Sequence, residues 1–130
     1  MQDIGREGEM AKKVLICDDE PHIVESLRYL VKREGYEVIT AEDGEEGYSK
    51  AREILPDLVF LDVMMPKKSG FEVCRQLKMD ERTKDIYVII LTARGEESDE
   101  KMAREAKANE YLTKPFSPKR LSARIHEILR

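Results

Sequence analysis

Apolar positions along the chain follow two alternating periods. Short apolar runs stand at VLIC (14–17), YEVIT (36–40), DLVFLD (57–62), IYVIILT (86–92) and EYLT (110–113), and they read as five strands. Between them, apolar residues recur three or four positions apart, as on one face of a helix. Ile23, Leu27, Leu30 and Val31 form the first stripe, and Tyr48, Ala51, Ile54 and Leu55 the second. Phe71, Cys74 and Leu77 form the third, and Leu121, Ile125, Ile128 and Leu129 the last. Residues 97–107 also read as helix, with only Met102, Ala103 and Ala106 to turn inward. Pro21 suits a first turn, Gly35 a C-terminal stop, and Asp43 and Ser69 suit N-caps. Pro56 closes the second helix, and Ser117-Pro118 opens the last.

Apolar strands without strict alternation belong in a parallel sheet covered on both faces. With right-handed crossovers, five strands and five helices make a doubly wound α/β domain. The 130 residues fit one domain, with no internal repeat or linker. Residues 1–11 are polar and patternless and read as a flexible N-terminal extension, which leaves 12–130 as the folded unit. The chain is 41% hydrophobic and 38% charged, which excludes a disordered polymer. Net charge is −4 with both signs interspersed, so no basic footprint for nucleic acid appears. No apolar run reaches membrane length and no leader opens the chain. The two cysteines, Cys17 and Cys74, sit inside apolar patterns and read as buried thiols of a reducing, cytoplasmic protein.

Chemistry collects at the strand ends, where open parallel sheets bind their ligands. The first strand ends on Asp18-Asp19, the third on Asp62, the fourth on Thr92, and the fifth on Thr113-Lys114-Pro115. If the first and third strands are neighbours, three carboxylates converge and repel. Mg²⁺, a hard cation with oxygen ligands, is the natural counter-charge. With Lys114 and the Thr92 hydroxyl, the cluster becomes a site for a phosphoryl group. A carboxylate can itself be the nucleophile, and Asp62 ends the central strand.

The segments ICDDE, LVFLDVMMPKKSGFE, IILTARG and YLTKPFSP, in that order and spacing, resemble the receiver domain of two-component response regulators. The resemblance covers residues 12–130. It implies the flavodoxin-like fold with strand order 2-1-3-4-5, and phosphoryl transfer from a histidine kinase or phosphotransfer protein to Asp62. It implies that Asp19, Asp62 and the backbone carbonyl of Met64 bind Mg²⁺ directly, with Asp18 acting through water. Lys114 then contacts the phosphoryl group, Thr92 turns inward to hydrogen-bond it, and Tyr111 follows as the aromatic partner. The Lys114–Pro115 bond is expected to be cis. Lys107 departs from the pattern, because a glycine is usual there and often supplies positive φ.

An aspartate-nucleophile phosphatase of the haloacid dehalogenase type is the alternative. Such enzymes carry a second acid two residues after the nucleophile, where this chain has Met64, which transfers no proton. The preferred reading is therefore a switch rather than an enzyme. Met64 and Arg94, two residues past Asp62 and Thr92, are poor at orienting an attacking water and are expected to prolong the phosphoryl group's life. His22 and His126 read as exposed helix residues with no ligand set, and Lys67 and Lys68 as a solvated loop. LTARGEE and KPFSPKRLSARI most resemble receivers of the winged-helix transcription-factor class, which dimerise through the fourth helix, fifth strand and fifth helix when phosphorylated. At matching positions this chain has Glu100 opposite Arg120, a reversed pair, and Asn109 opposite Arg124, where an acid has become an amide.

Overall fold

The computed structural model describes residues 11–93 and 95–130. The elements run β1 (Lys13–Cys17), α1 (Pro21–Arg33), β2 (Glu37–Ala41), α2 (Gly44–Ile54), β3 (Leu58–Asp62), α3 (Gly70–Met79), β4 (Tyr87–Thr92), α4 (Glu97–Glu105), β5 (Glu110–Thr113) and α5 (Pro118–Leu129). All strand pairs are parallel, and the order is β2-β1-β3-β4-β5. This is the doubly wound α/β arrangement the periodicity predicts.

Strand side chains alternate between faces. Leu15, Cys17, Val59, Leu61, Val88 and Ile90 pack with Phe71, Val73, Cys74 and Leu77 of α3 and with Ala51 and Ala103. Val14, Ile16, Leu58, Phe60, Ile89 and Leu91 pack on the other face with Leu27, Leu30 and Val31 of α1 and with Leu121, Ile125 and Leu129 of α5. The central strands are buried on both sides, which is why they read as unbroken apolar runs.

Local chemistry places the helix ends. Asp43 accepts from the Glu46 N–H and Ser69 from the Glu72 N–H, with Glu72 reaching back to Ser69 in a capping box. α1 closes with the Gly35 N–H on the Lys32 carbonyl and the Tyr36 N–H on the Val31 carbonyl, Gly35 taking φ +90°. Tyr36 thus belongs to the cap rather than to β2, which starts one residue late. α4 closes with the same pair of bonds, from Lys107 to Arg104 and from Ala108 to Ala103. Lys107 takes φ +66° there, so the turn is kept without its glycine.

Two inward assignments and one outward assignment need correcting. Leu55 takes the left-handed C-cap conformation of α2 and is exposed. Met102 is exposed, so α4 buries only Asp99 and Ala103 within its span. Lys68 is half-buried, its ammonium 2.9 Å from Gln76 Oε1 and 5.3 Å from the Tyr48 ring centre. Both cysteines are free and buried, and both histidines are exposed.

Candidate functional site

The sheet register sets what meets at the carboxyl edge. Cys17 pairs with Leu61 and Asp62 with Leu91, so Asp18, one residue beyond β1, comes level with Asp62. Thr92 pairs with Thr113, which puts Lys114 immediately past the end of β5. The Lys114–Pro115 peptide is cis.

Lys114 is the hub. Its Nζ lies 3.0 Å from Asp18 Oδ2, 2.8 Å from Glu20 Oε1 and 3.0 Å from Asp62 Oδ1. Three acceptors match the three donors of an ammonium. Asp18 and Asp62 are only 2% and 4% exposed, so both carboxylates sit in a poorly solvated edge. Asp18 Oδ1 also accepts the Glu20 backbone N–H at 2.9 Å. Burial pushes the Asp62 carboxyl up to about 6, and its neighbours Asp18 and Asp19 add to the rise against the pull of Lys114. Burial likewise raises Asp18, while the Lys114 hydrogen bond lowers Glu20. Burial alone would lower Lys114, but its bonds to the three carboxylates outweigh that and hold it well above the ordinary lysine value.

Oxygens of Asp18, Glu20 and Asp62 lie within 4.8 Å of one another. An all-oxygen carboxylate set, two of whose members, Asp18 and Asp62, are raised in pKa by burial, fits a hard divalent cation that takes several oxygen ligands. Asp19 is exposed and stands outside this group of three, although its charge bears on Asp62. Glu20 is the member that reading the sequence missed. The third acid of ICDDE was its signal, masked by its look as an ordinary helix-entry residue.

Thr92 is buried, and its Oγ1 donates to Asp99 Oδ2 at 3.2 Å. Tyr111 is half-buried against the α2–α3–α4 side of the core. Met64 is 69% exposed beside the site, and Arg94 lies outside the described residues. A surface depression of about 1080 Å³ lies between α1 and α5 and includes none of Asp18, Glu20, Asp62 or Lys114. Phosphoryl transfer to a strand-end carboxylate needs charge placement more than a cavity.

Glu100 and Arg120 are both exposed. Asn109 and Arg124 are engaged within the chain and not with each other. Asn109 Oδ1 accepts from the Val88 N–H and from Lys78 Nζ, each at 2.8 Å. Arg124 pairs with Glu110 and donates to Tyr87 Oη at 2.8 Å.

The response regulator receiver domain family matches residues 14–126. The chain belongs to that family. It is 50% identical over 121 residues to the alkaline phosphatase synthesis transcriptional regulatory protein PhoP of Bacillus subtilis, covering 93% of this chain and 50% of that one. It is 41% identical over 121 residues to the phosphate regulon transcriptional regulatory protein PhoB of Escherichia coli, covering 93% and 53%. This receiver therefore spans about half the length of those curated relatives. Among solved structures, a putative response regulator from Chloroflexus aurantiacus matches with TM-score 0.85 and 36% identity over 92% of this chain and 98% of that one. Chemotaxis response regulator CheY4 of Vibrio cholerae matches with TM-score 0.84 and 31% identity over 92% and 99%. The resemblance to the PhoP and PhoB class holds, and the receiver is a phosphoacceptor signalling switch of two-component systems. The haloacid dehalogenase alternative finds no support. No helix among the described residues is long and apolar enough to cross a membrane.

Proposed function

We propose that Asp62 is the phosphoacceptor, in a unit running from residue 12 to 130 with 1–11 as its extension. The observation that carries the reading is one nearly buried carboxylate at the end of the central strand, joined through Lys114 to Asp18 and Glu20. A carboxylate oxygen of Asp62 attacks the phosphorus of a phosphohistidine or small phosphodonor. The donor's bond to phosphorus breaks, its electron pair leaves with the donor, and an aspartyl phosphate remains. Lys114 moves its hydrogen bonds from carboxylates to a phosphoryl oxygen, and the Thr92 hydroxyl donates to another. Tyr111 follows Thr92 inward. Asp19, Asp62 and the Met64 carbonyl would hold Mg²⁺ directly and Asp18 through water, with Glu20 beside them. When bound, the cation neutralises charge on the carboxylates and phosphoryl oxygens.

A histidine kinase or phosphotransfer protein supplies the phosphoryl group in the cytoplasm. The output is conformational, at α4, β5 and α5, and not turnover of a substrate. Phosphorylation promotes a homodimer in which Glu100 faces Arg120 of a second copy. The matched Asn109 and Arg124 are weaker candidates for that interface, since each already has partners in its own chain. Exposed Met64, with Arg94, slows attack of water on the aspartyl phosphate, and no nucleic acid binds this domain itself.

The test is labelling with acetyl phosphate in Mg²⁺, read by intact mass. One phosphoryl group is expected on the wild type and none on Asp62→Asn. Phosphate retained by Asp62→Asn overturns the assignment.

A further inference from the structure

Thr92 shares the parity of Val88 and Ile90 in β4, so its side chain emerges on the face that α3 and α4 cover. Its Oγ1 donates to Asp99 Oδ2 at 3.2 Å. Both residues are sealed from solvent, at 1% and 2% exposure. Asp99 is the third residue of α4, in a first turn whose backbone N–H groups favour negative charge. Within its span α4 buries only this carboxylate and Ala103. The front of α4 is therefore tied to the sheet edge largely through a polar contact, where the other helices use apolar stripes.

A threonine hydroxyl has one proton to donate. It can go to Asp99 or to a phosphoryl oxygen on Asp62, but not to both at once. We propose that Asp99 is a positioning residue for the phosphoryl-transfer site, holding the Thr92 hydroxyl until a phosphoryl oxygen competes it away. The inference rests on the reading of Asp62 as phosphoacceptor and Thr92 as its hydroxyl donor. No covalent bond changes at Thr92 or Asp99; one hydrogen bond is exchanged for another. A phosphoryl group brings strong acceptor oxygens with its charge, so it competes well. The buried Asp99 carboxylate then loses a donor, which is costly unless its surroundings adjust. The first turn of α4, with little apolar burial to hold it, is the part free to adjust. Chemistry at the end of β3 is thus passed to α4 through the exchange of the Thr92 hydrogen bond.

The experiment compares initial rates of labelling by acetyl phosphate in Mg²⁺ for wild type, Asp99→Asn, Thr92→Val and the double variant. The amide of Asp99→Asn keeps the shape but accepts less strongly than a carboxylate, so labelling should quicken by about 5- to 10-fold. In the Thr92→Val background the same change should have almost no effect, because there is no hydroxyl to release. An unchanged or slower rate for Asp99→Asn overturns the proposal, and so does an acceleration that persists undiminished with Thr92→Val. The unmodified chain offers a second readout. The ¹³C resonance of the Asp99 carboxyl should move when beryllofluoride is added with Mg²⁺, and a resonance that stays put overturns the proposal. If wild type takes no label, or Asp62→Asn keeps it, the phosphoacceptor reading itself is overturned.

Discussion

Lys114 Nζ lies 3.0 Å from both Asp62 Oδ1 and Asp18 Oδ2, so one ammonium holds together two carboxylates that water hardly reaches. Removing one partner of a buried ion pair leaves the other charge uncompensated. Lys114→Met should therefore lose about 3 kcal/mol of stability in urea at neutral pH with EDTA present. Millimolar Mg²⁺ should recover part of that loss, because a cation replaces the missing charge. An unchanged urea midpoint in EDTA would show that the carboxylates tolerate one another unaided.

The raised Asp62 carboxyl makes stability depend on pH. Its value in the folded chain, about 6, lies above the ordinary 3.8, so the folded state holds more protons between those values. Stability contributed by this group is therefore present below about pH 4, falls as pH rises, and is fully lost above about 6. Asp18 shifts in the same direction and Glu20 in the opposite one. The difference between wild type and Asp62→Asn isolates Asp62. In EDTA, wild type should lose melting temperature relative to Asp62→Asn between pH 4.5 and 7. Mg²⁺ should stabilise wild type strongly at pH 7.5 and little at pH 5, where Asp62 is mostly protonated. Equal Mg²⁺ shifts at both pH values would count against Asp62 as a ligand.

A Cβ on Gly70 would stand 2.4 Å from the Asp62 carbonyl oxygen and 3.0 Å from its carbon. The start of α3 is thus pressed against the backbone of the proposed phosphoacceptor. Gly70→Ala should slow labelling several-fold and cost about 1–3 kcal/mol. Gly95→Ala, whose Cβ would meet only Thr113 side-chain atoms at 3.5 and 3.7 Å, is the control and should fold normally. Normal labelling kinetics for Gly70→Ala would mean that the contact relaxes without moving Asp62.

Lys107 holds a left-handed conformation that costs any residue with a Cβ. Lys107→Gly should raise stability by up to about 1 kcal/mol, less what glycine's freedom in the unfolded chain takes back. A chemical-denaturation midpoint lower than wild type would contradict this.

Sedimentation of the beryllofluoride-bound receiver tests the reversed pair. Glu100→Lys should weaken the dimer a few-fold, in a salt-sensitive way, and adding Arg120→Glu should restore it. A double variant no better than the single one removes the pairing.

The fold was legible because every element carries its own period and its own punctuation. Leu58 to Leu61 are buried on both faces and so read as a strand, and the caps at Asp43 and Ser69 act on residues three positions away. Expectation and structure part at helix C-caps and on the thinnest helix face. Tyr36 was taken by the α1 cap, Leu55 by a left-handed turn, and Met102 was left outside by a helix that packs through Asp99. The acids of the candidate site could be listed from strand ends, since register alone brings Asp18 level with Asp62. That Glu20, and not Asp19, turns toward Lys114 depends on how the chain leaves β1 and enters α1. That the Thr92 hydroxyl meets Asp99 depends on where α4 settles on the sheet. Short-range sequence sets which residues can reach the carboxyl edge; the packing of helices whose own apolar stripes are thin decides which of them face one another there.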